Sequence, residues 1–188
     1  MTRRIRPKEG KEMERRIVKP WALILALCLV LVLAGMSGCG IPYDAKLYDG
    51  AMQWIDGDFL KENRVKAYYS DENYDGSDED GERFVYEETA PAARTFVFSD
   101  GETFDAVFTK YGSDVDFDGE TVLLYIFSDI YPTRNYFLKD VEVKERTAKI
   151  YFSVEQRPGT GGAATPSPRC LMVRLKKTDI EAAEFIGR

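Results

Sequence analysis

From Thr121 onward the chain repeats its apolar residues with a period of two, and that spacing restricts it to β-structure. Thr121 to Phe127 (TVLLYIF) is an almost unbroken apolar run, the pattern of a central strand covered on both faces. Val141 and Val143 alternate with charged neighbours, and Ile150, Phe152 and Val154 alternate with Lys149, Tyr151 and Ser153. The polar residues Lys144 to Thr147 separate these runs, so together they predict a hairpin with one buried face. A Gly/Pro-rich connection at 157–168 leads to a strand through Leu171, Val173 and Leu175, and Phe185-Ile186 predicts a last edge. Upstream, Arg64 to Tyr69, Phe84 to Tyr86 and Thr95 to Phe98 read as short strands.

Two segments carry the helical period instead. Phe104, Val107, Phe108 and Tyr111 lie at i, i+3, i+4 and i+7, predicting a helix over about 100–111. Ser99 and Glu102 have capping-box spacing before it, and Gly112 follows it. Residues 43–55 show a similar stripe through Leu47, Ala51, Trp54 and Ile55, a helix that Gly50 would weaken by about 1 kcal/mol. The predicted fold class is mainly β (α+β), an antiparallel sheet or sandwich with one short packed helix.

The N-terminus is not part of that fold. Residues 1–20 are basic, Trp21 to Ala34 carry no charge, and the small residues around Cys39 follow. This is the layout of a secretory signal. The stretch Met36-Ser37-Gly38-Cys39 resembles the lipobox of bacterial lipoproteins, with Met36 where that family most often has Leu. The resemblance implies that Met36, Ser37 and Gly38 are read by the signal peptidase. It also implies that Cys39 takes a diacylglyceryl group and becomes the mature N-terminus. An uncleaved membrane anchor is the alternative, but residues 21–36 would span only about 24 Å of a ~30 Å hydrocarbon core. Translation from Met13 is compatible with either reading, and Arg15-Arg16 is a faint twin-arginine signal. The Lys/Arg cluster stays inside, so the body lies outside the cytoplasmic membrane. The expected organisation is a cleaved signal at 1–38, a lipid-anchored and partly helical segment at 39–62, and a β-rich extracytoplasmic domain at 63–188 with an acidic loop at 70–82.

The rest of the chemistry is narrowed by composition. Residues 39–188 hold 18 Lys/Arg against 29 Asp/Glu, a net charge of −11, which argues against a nucleic-acid partner. The chain has no His, so imidazole-based nucleophilic catalysis and proton shuttling are unavailable. With Cys28 lost and Cys39 acylated, Cys170 has no internal disulfide partner and reads as a half-buried strand residue. No nucleophile elbow or phosphate-binding loop appears, and the GTGG at 159–162 reads as a bend.

The acidic loop does match one motif. Asp71, Asn73, Asp75, Gly76 and Glu82 satisfy the twelve-residue calcium-loop pattern, in which carboxylates supply hard oxygen ligands and Gly makes the turn. Its eighth position is Asp78, however, and strand-like sequence follows it. Asp114, Asp116, Asp118 and Gly119 match in part, and read first as an Asp-Gly hairpin turn. The density of aromatics suggests a recognition face drawn from Tyr43, Tyr48, Tyr68, Tyr69 and Tyr74.

Residues from about 114 to 186 are similar to the C-terminal domain of the protease-complex subunit PrcB family. The likeness rests on the Val115-Asp116-Phe117 start, the apolar strand 121–127 and an aromatic-led strand from Tyr136 to Val143. Strand 148–155, the Pro158-Gly159 connection and a Cys-containing strand complete it. Arg134-Asn135-Tyr136 departs from the glycine-bearing lead-in usual there. The resemblance implies association with other extracytoplasmic proteins and no catalysis, and it offers no catalytic residues. The expected function is therefore a membrane-anchored lipoprotein whose non-enzymatic domain binds another envelope or secreted protein, needing no cofactor. The alternative is a calcium-binding or calcium-stabilised surface protein.

Overall fold

The computed structural model describes residues 41–71, 83–156, 158, 161 and 165–187. Met36, Ser37, Gly38 and Cys39, the loop positions Asn73, Tyr74, Asp75 and Glu82, and most of the GTGG bend lie outside the described residues. Gly40–Arg188 form one unit.

The apolar run becomes β5 (Glu120–Asp129), and it is a central strand as its pattern demands. In one sheet β5 lies between β4 (Ala93–Phe98) and β8 (Ser167–Lys176), and β1 (Lys46–Asp49) pairs with β8. All these pairings are antiparallel. Successive residues of β5 face opposite layers. Leu123, beside Val173 and Val97, packs on a second sheet through Val141, Ala148 and Ile150. Leu124, beside Met172 and Phe96, packs on residues in and just beyond the helical turns, including Ala51, Ile55, Phe104 and Phe108. Both leucines are fully buried, so neither face at the middle of the strand accommodates an unpartnered polar group. Each contributes about 2 kcal/mol of burial.

The second sheet orders β6 (Arg134–Lys144), β7 (Thr147–Gln156) and β9 (Ala182–Gly187). The predicted β6–β7 hairpin is present, but its turn is tighter than the polar run suggested. Glu145 and Arg146 alone span it, with φ of 50° and 62°. Two positive φ values match the right-handed twist of the flanking strands, as in a type I′ turn. The antiparallel, mainly β fold is as expected, and the last strand is its one parallel pairing among the described residues, β9 running parallel to β7. Period-two alternation is the same for either direction, so the sequence carries no sign of this.

The helical predictions need two corrections. Residues 43–55 are not a helix. Gly50 sits at φ 79°, in the left-handed region, and divides β1 from a 3-10 turn at Ala51–Trp54. Pairing β1 with β8 sets Leu47 opposite Val173, a tertiary gain that outweighs a Gly-interrupted helix. This also removes the boundary at residue 62, since 41–62 are woven into the domain. A short helix, α1 (Gly57–Glu62), does follow, capped by the Asp56 side chain, which accepts from the N–H groups of Asp58 (2.9 Å) and Phe59 (3.1 Å). The second correction concerns the helix predicted at 100–111. It is α2 (Gly101–Val107), and its cap is Asp100, accepting from Thr103 N–H at 2.9 Å. The apolar stripe continues into a turn, where Tyr111 N–H donates to the Phe108 carbonyl. No helix among the described residues is long and apolar enough to cross a membrane.

Candidate functional site

Two strands stand apart from the sandwich. β2 (Tyr68–Ser70) and β3 (Phe84–Tyr86) form an antiparallel ribbon of their own, joined by the acidic segment. The ribbon is fixed at its base, where Tyr68 N–H donates to the Pro166 carbonyl. Tyr69 anchors its inner face, exchanging hydrogen bonds with the Val65 backbone and lying under the Arg64 guanidinium at 4.6 Å. Burial raises the pKa of the Tyr69 phenol, so it stays a neutral hydrogen-bonding group. The outer face is different. The Tyr68 and Tyr86 rings lie tilted against each other with centroids 4.8 Å apart, and Phe84 follows on the same side. Phe84 is 49% exposed, Val85 42% and Tyr86 39%. Three of the five exposed large apolar residues among the described ones fall in this single run, which is what a protein-contact surface requires. Beside β2 opens a hollow of about 240 Å³ lined by Met52, Leu60, Tyr69, Ile126 and Pro168, with Lys61, Arg64 and Ser70.

A polar corner lies where β5 turns into β6. Asp129 is 7% exposed, and its carboxylate accepts from Arg134 Nη1 (2.9 Å), Tyr131 N–H (3.0 Å) and the Tyr136 hydroxyl. Arg169 reaches across from β8, donating to Asp49 (3.1 Å), to the Pro132 carbonyl (2.9 Å) and to the Arg134 carbonyl (3.2 Å). An open cleft of about 470 Å³ lies over Asp49, Pro132, Arg134 and Arg169. Both guanidiniums are already engaged by the protein's own carboxylates, so the corner works as a latch joining β1, β6 and β8. It offers an incoming anion little.

Among the described residues, the structure does not gather the predicted sites. Asp71 ends β2 with its N–H on the Arg83 carbonyl at 3.0 Å. Asp114, Asp116 and Asp118 do not converge, and no three acidic or thiol groups among the described residues come close enough to share a metal ion. Asp116 instead closes the turn into β5, where its carbonyl accepts from Gly119 (3.0 Å) and Glu120 (2.7 Å); that turn follows α2 and is not a hairpin. The tyrosine face also needs correcting. Tyr43 and Tyr48 pack against the apolar clusters, and of the described tyrosines proposed only Tyr68 lies on the ribbon's outer face. Phe84, Val85 and Tyr86 were legible as a strand, but their exposure was not. Residue types carried no signal of it, since an unbroken apolar run is also what a strand covered on both faces shows. Cys170 is buried, and burial pushes its thiol up to about 12, so it is a packing residue and a poor nucleophile.

Compared with protein-family models, curated proteins and solved structures, the chain has no match in any of the three.

Proposed function

We propose that this chain is a lipoprotein anchored at the extracytoplasmic face of the cell membrane, whose β domain binds another envelope or secreted protein and catalyses nothing. The anchor reading rests on the charge-free run ending in Ser37-Gly38-Cys39. Two acyl chains on Cys39 suffice for stable attachment. The binding reading is carried by one observation, the exposed Phe84-Val85-Tyr86 run on a ribbon held outside the sandwich. The likeness of residues 114–186 to the PrcB family agrees with an association role. Chemical cross-linking of the acylated chain in its own membrane tests the reading. One protein recovered repeatedly in stoichiometric amount supports it, and repeated recovery of none contradicts it.

The calcium reading keeps a place because of the Asp71–Glu82 pattern. Thermal melts with calcium and with chelator decide it. At 100 times its dissociation constant a bound ion adds about 2.7 kcal/mol, and coincident melts rule the site out.

A further inference from the structure

We infer that the outer edge of β3 receives an extended, cationic segment of the partner polypeptide as an added strand. The inference rests on the protein-binding reading above and states where and how the partner is held. In the β2–β3 ladder Glu87 N–H donates to the Ala67 carbonyl, and Asp71 N–H to the Arg83 carbonyl, both at 3.0 Å. Tyr69 lies opposite Val85 midway between these pairs. Antiparallel ladders alternate, so the backbones of Arg83, Val85 and Glu87 turn toward β2, and those of Phe84 and Tyr86 turn away. The Tyr86 carbonyl accepts from Glu88 N–H. Phe84 N–H, Phe84 C=O and Tyr86 N–H have no partner among the described residues.

Such an edge is normally blunted by Lys, Pro or a bulge, and Phe-Val-Tyr contains none of these. The edges of the larger sheets have a neighbouring strand close by, β6 near β1 and β9 near β4, without a ladder between them, and β2 bonds Pro166. A row of outward donors and acceptors flanked by apolar side chains is complemented by another backbone, as in strand addition. Charge selects the kind of strand. The sequence from Asp71 to Glu82 contains seven carboxylates and no Lys or Arg, and residues 39–188 carry −11. A second copy of the chain would bring the same net negative charge, so the field opposes self-pairing and favours a cationic segment.

The test uses the full acylated chain in detergent micelles and three octapeptides. These are alternating Lys-Val, alternating Glu-Val, and Lys-Val N-methylated at every backbone amide. Lys-Val is expected to slow hydrogen exchange at the Phe84 and Tyr86 amides at least tenfold and to weaken with added salt. The other two should bind at least tenfold more weakly. Phe84→Pro removes an outward N–H without touching the β2 ladder and should cost at least tenfold in Lys-Val affinity. Phe84→Lys, which keeps the N–H but repels the peptide, should do the same. Binding that leaves both amides unprotected overturns the inference. So do equal binding of the N-methylated or Glu-Val peptide, no binding by any peptide, and self-association that protects these amides. Membrane cross-linking separates this failure from that of the broader reading. A partner still captured by the Phe84→Lys chain removes the edge and leaves protein binding standing, whereas a wild-type chain that captures none removes protein binding itself.

Discussion

Asp129 concentrates more polar contact than any other buried side chain described here, and Asp129→Ala tests whether the latch holds the domain. The substitution would leave the Tyr136 hydroxyl and Tyr131 N–H without their acceptor in a buried corner. A loss of about 3 kcal/mol in urea denaturation is expected, and a loss under 1 kcal/mol would show that the corner rearranges at no cost. Cys170 gives a pH signature. Its folded pKa is raised from 9.0 to about 12, so above pH 9 the unfolded chain releases a proton that the folded chain keeps. Stability therefore falls as pH rises through that window, by at most about 1.4 kcal/mol per pH unit. Tyr136, raised by burial and by its bond to the Asp129 carboxylate, adds the same sign above pH 10. Urea midpoints between pH 8 and 11 should fall less steeply in Cys170→Ala than in the wild type, and equal slopes would contradict the assignment. Arg134 and Tyr136 both close on Asp129, a convergence that residue types alone did not reveal.

The strands were legible wherever burial imposed a pattern. β5 announced itself because both faces are covered, and β6 and β7 because one is. The failures share a cause. Leu47, Ala51 and Ile55 have helical spacing, yet long-range pairing with β8 and the left-handed Gly50 decide their conformation. The direction of β9 and the exposure of β3 depend on neighbours distant in sequence, which no local period encodes. The β6–β7 turn offers a test. Glu145 holds a left-handed φ of 50° that Glu adopts at a cost and Asn tolerates. Its only described ion pair, with Lys144 at 3.9 Å, is fully exposed in character and worth little. Glu145→Asn is thus expected to stabilise the domain by about 0.5 kcal/mol in chemical denaturation, and a destabilised variant would argue against the turn assignment. Asp56→Ala at the start of α1 should cost about 1 kcal/mol by the same measurement.

Charge and anchoring belong to the molecule as a whole. On the proposed reading, an acidic body tethered by its N-terminus would keep away from anionic lipid and leave its apolar ribbon to other proteins. Cys39→Ser removes the thiol that would be acylated. The variant is expected to lose palmitate incorporation and retain its signal, while Cys170→Ser changes neither; palmitate remaining on the Cys39 variant would contradict the anchor. The claim on which everything else turns is that the ribbon meets a protein. A photo-cross-linking residue at Phe84 of the full acylated chain, irradiated in its native membrane, tests it directly, with the same residue at exposed Lys144 on the β6–β7 hairpin as control. One stoichiometric protein adduct at position 84 and none at 144 is the predicted result. Adducts at neither position, or the same adduct at both, would contradict it.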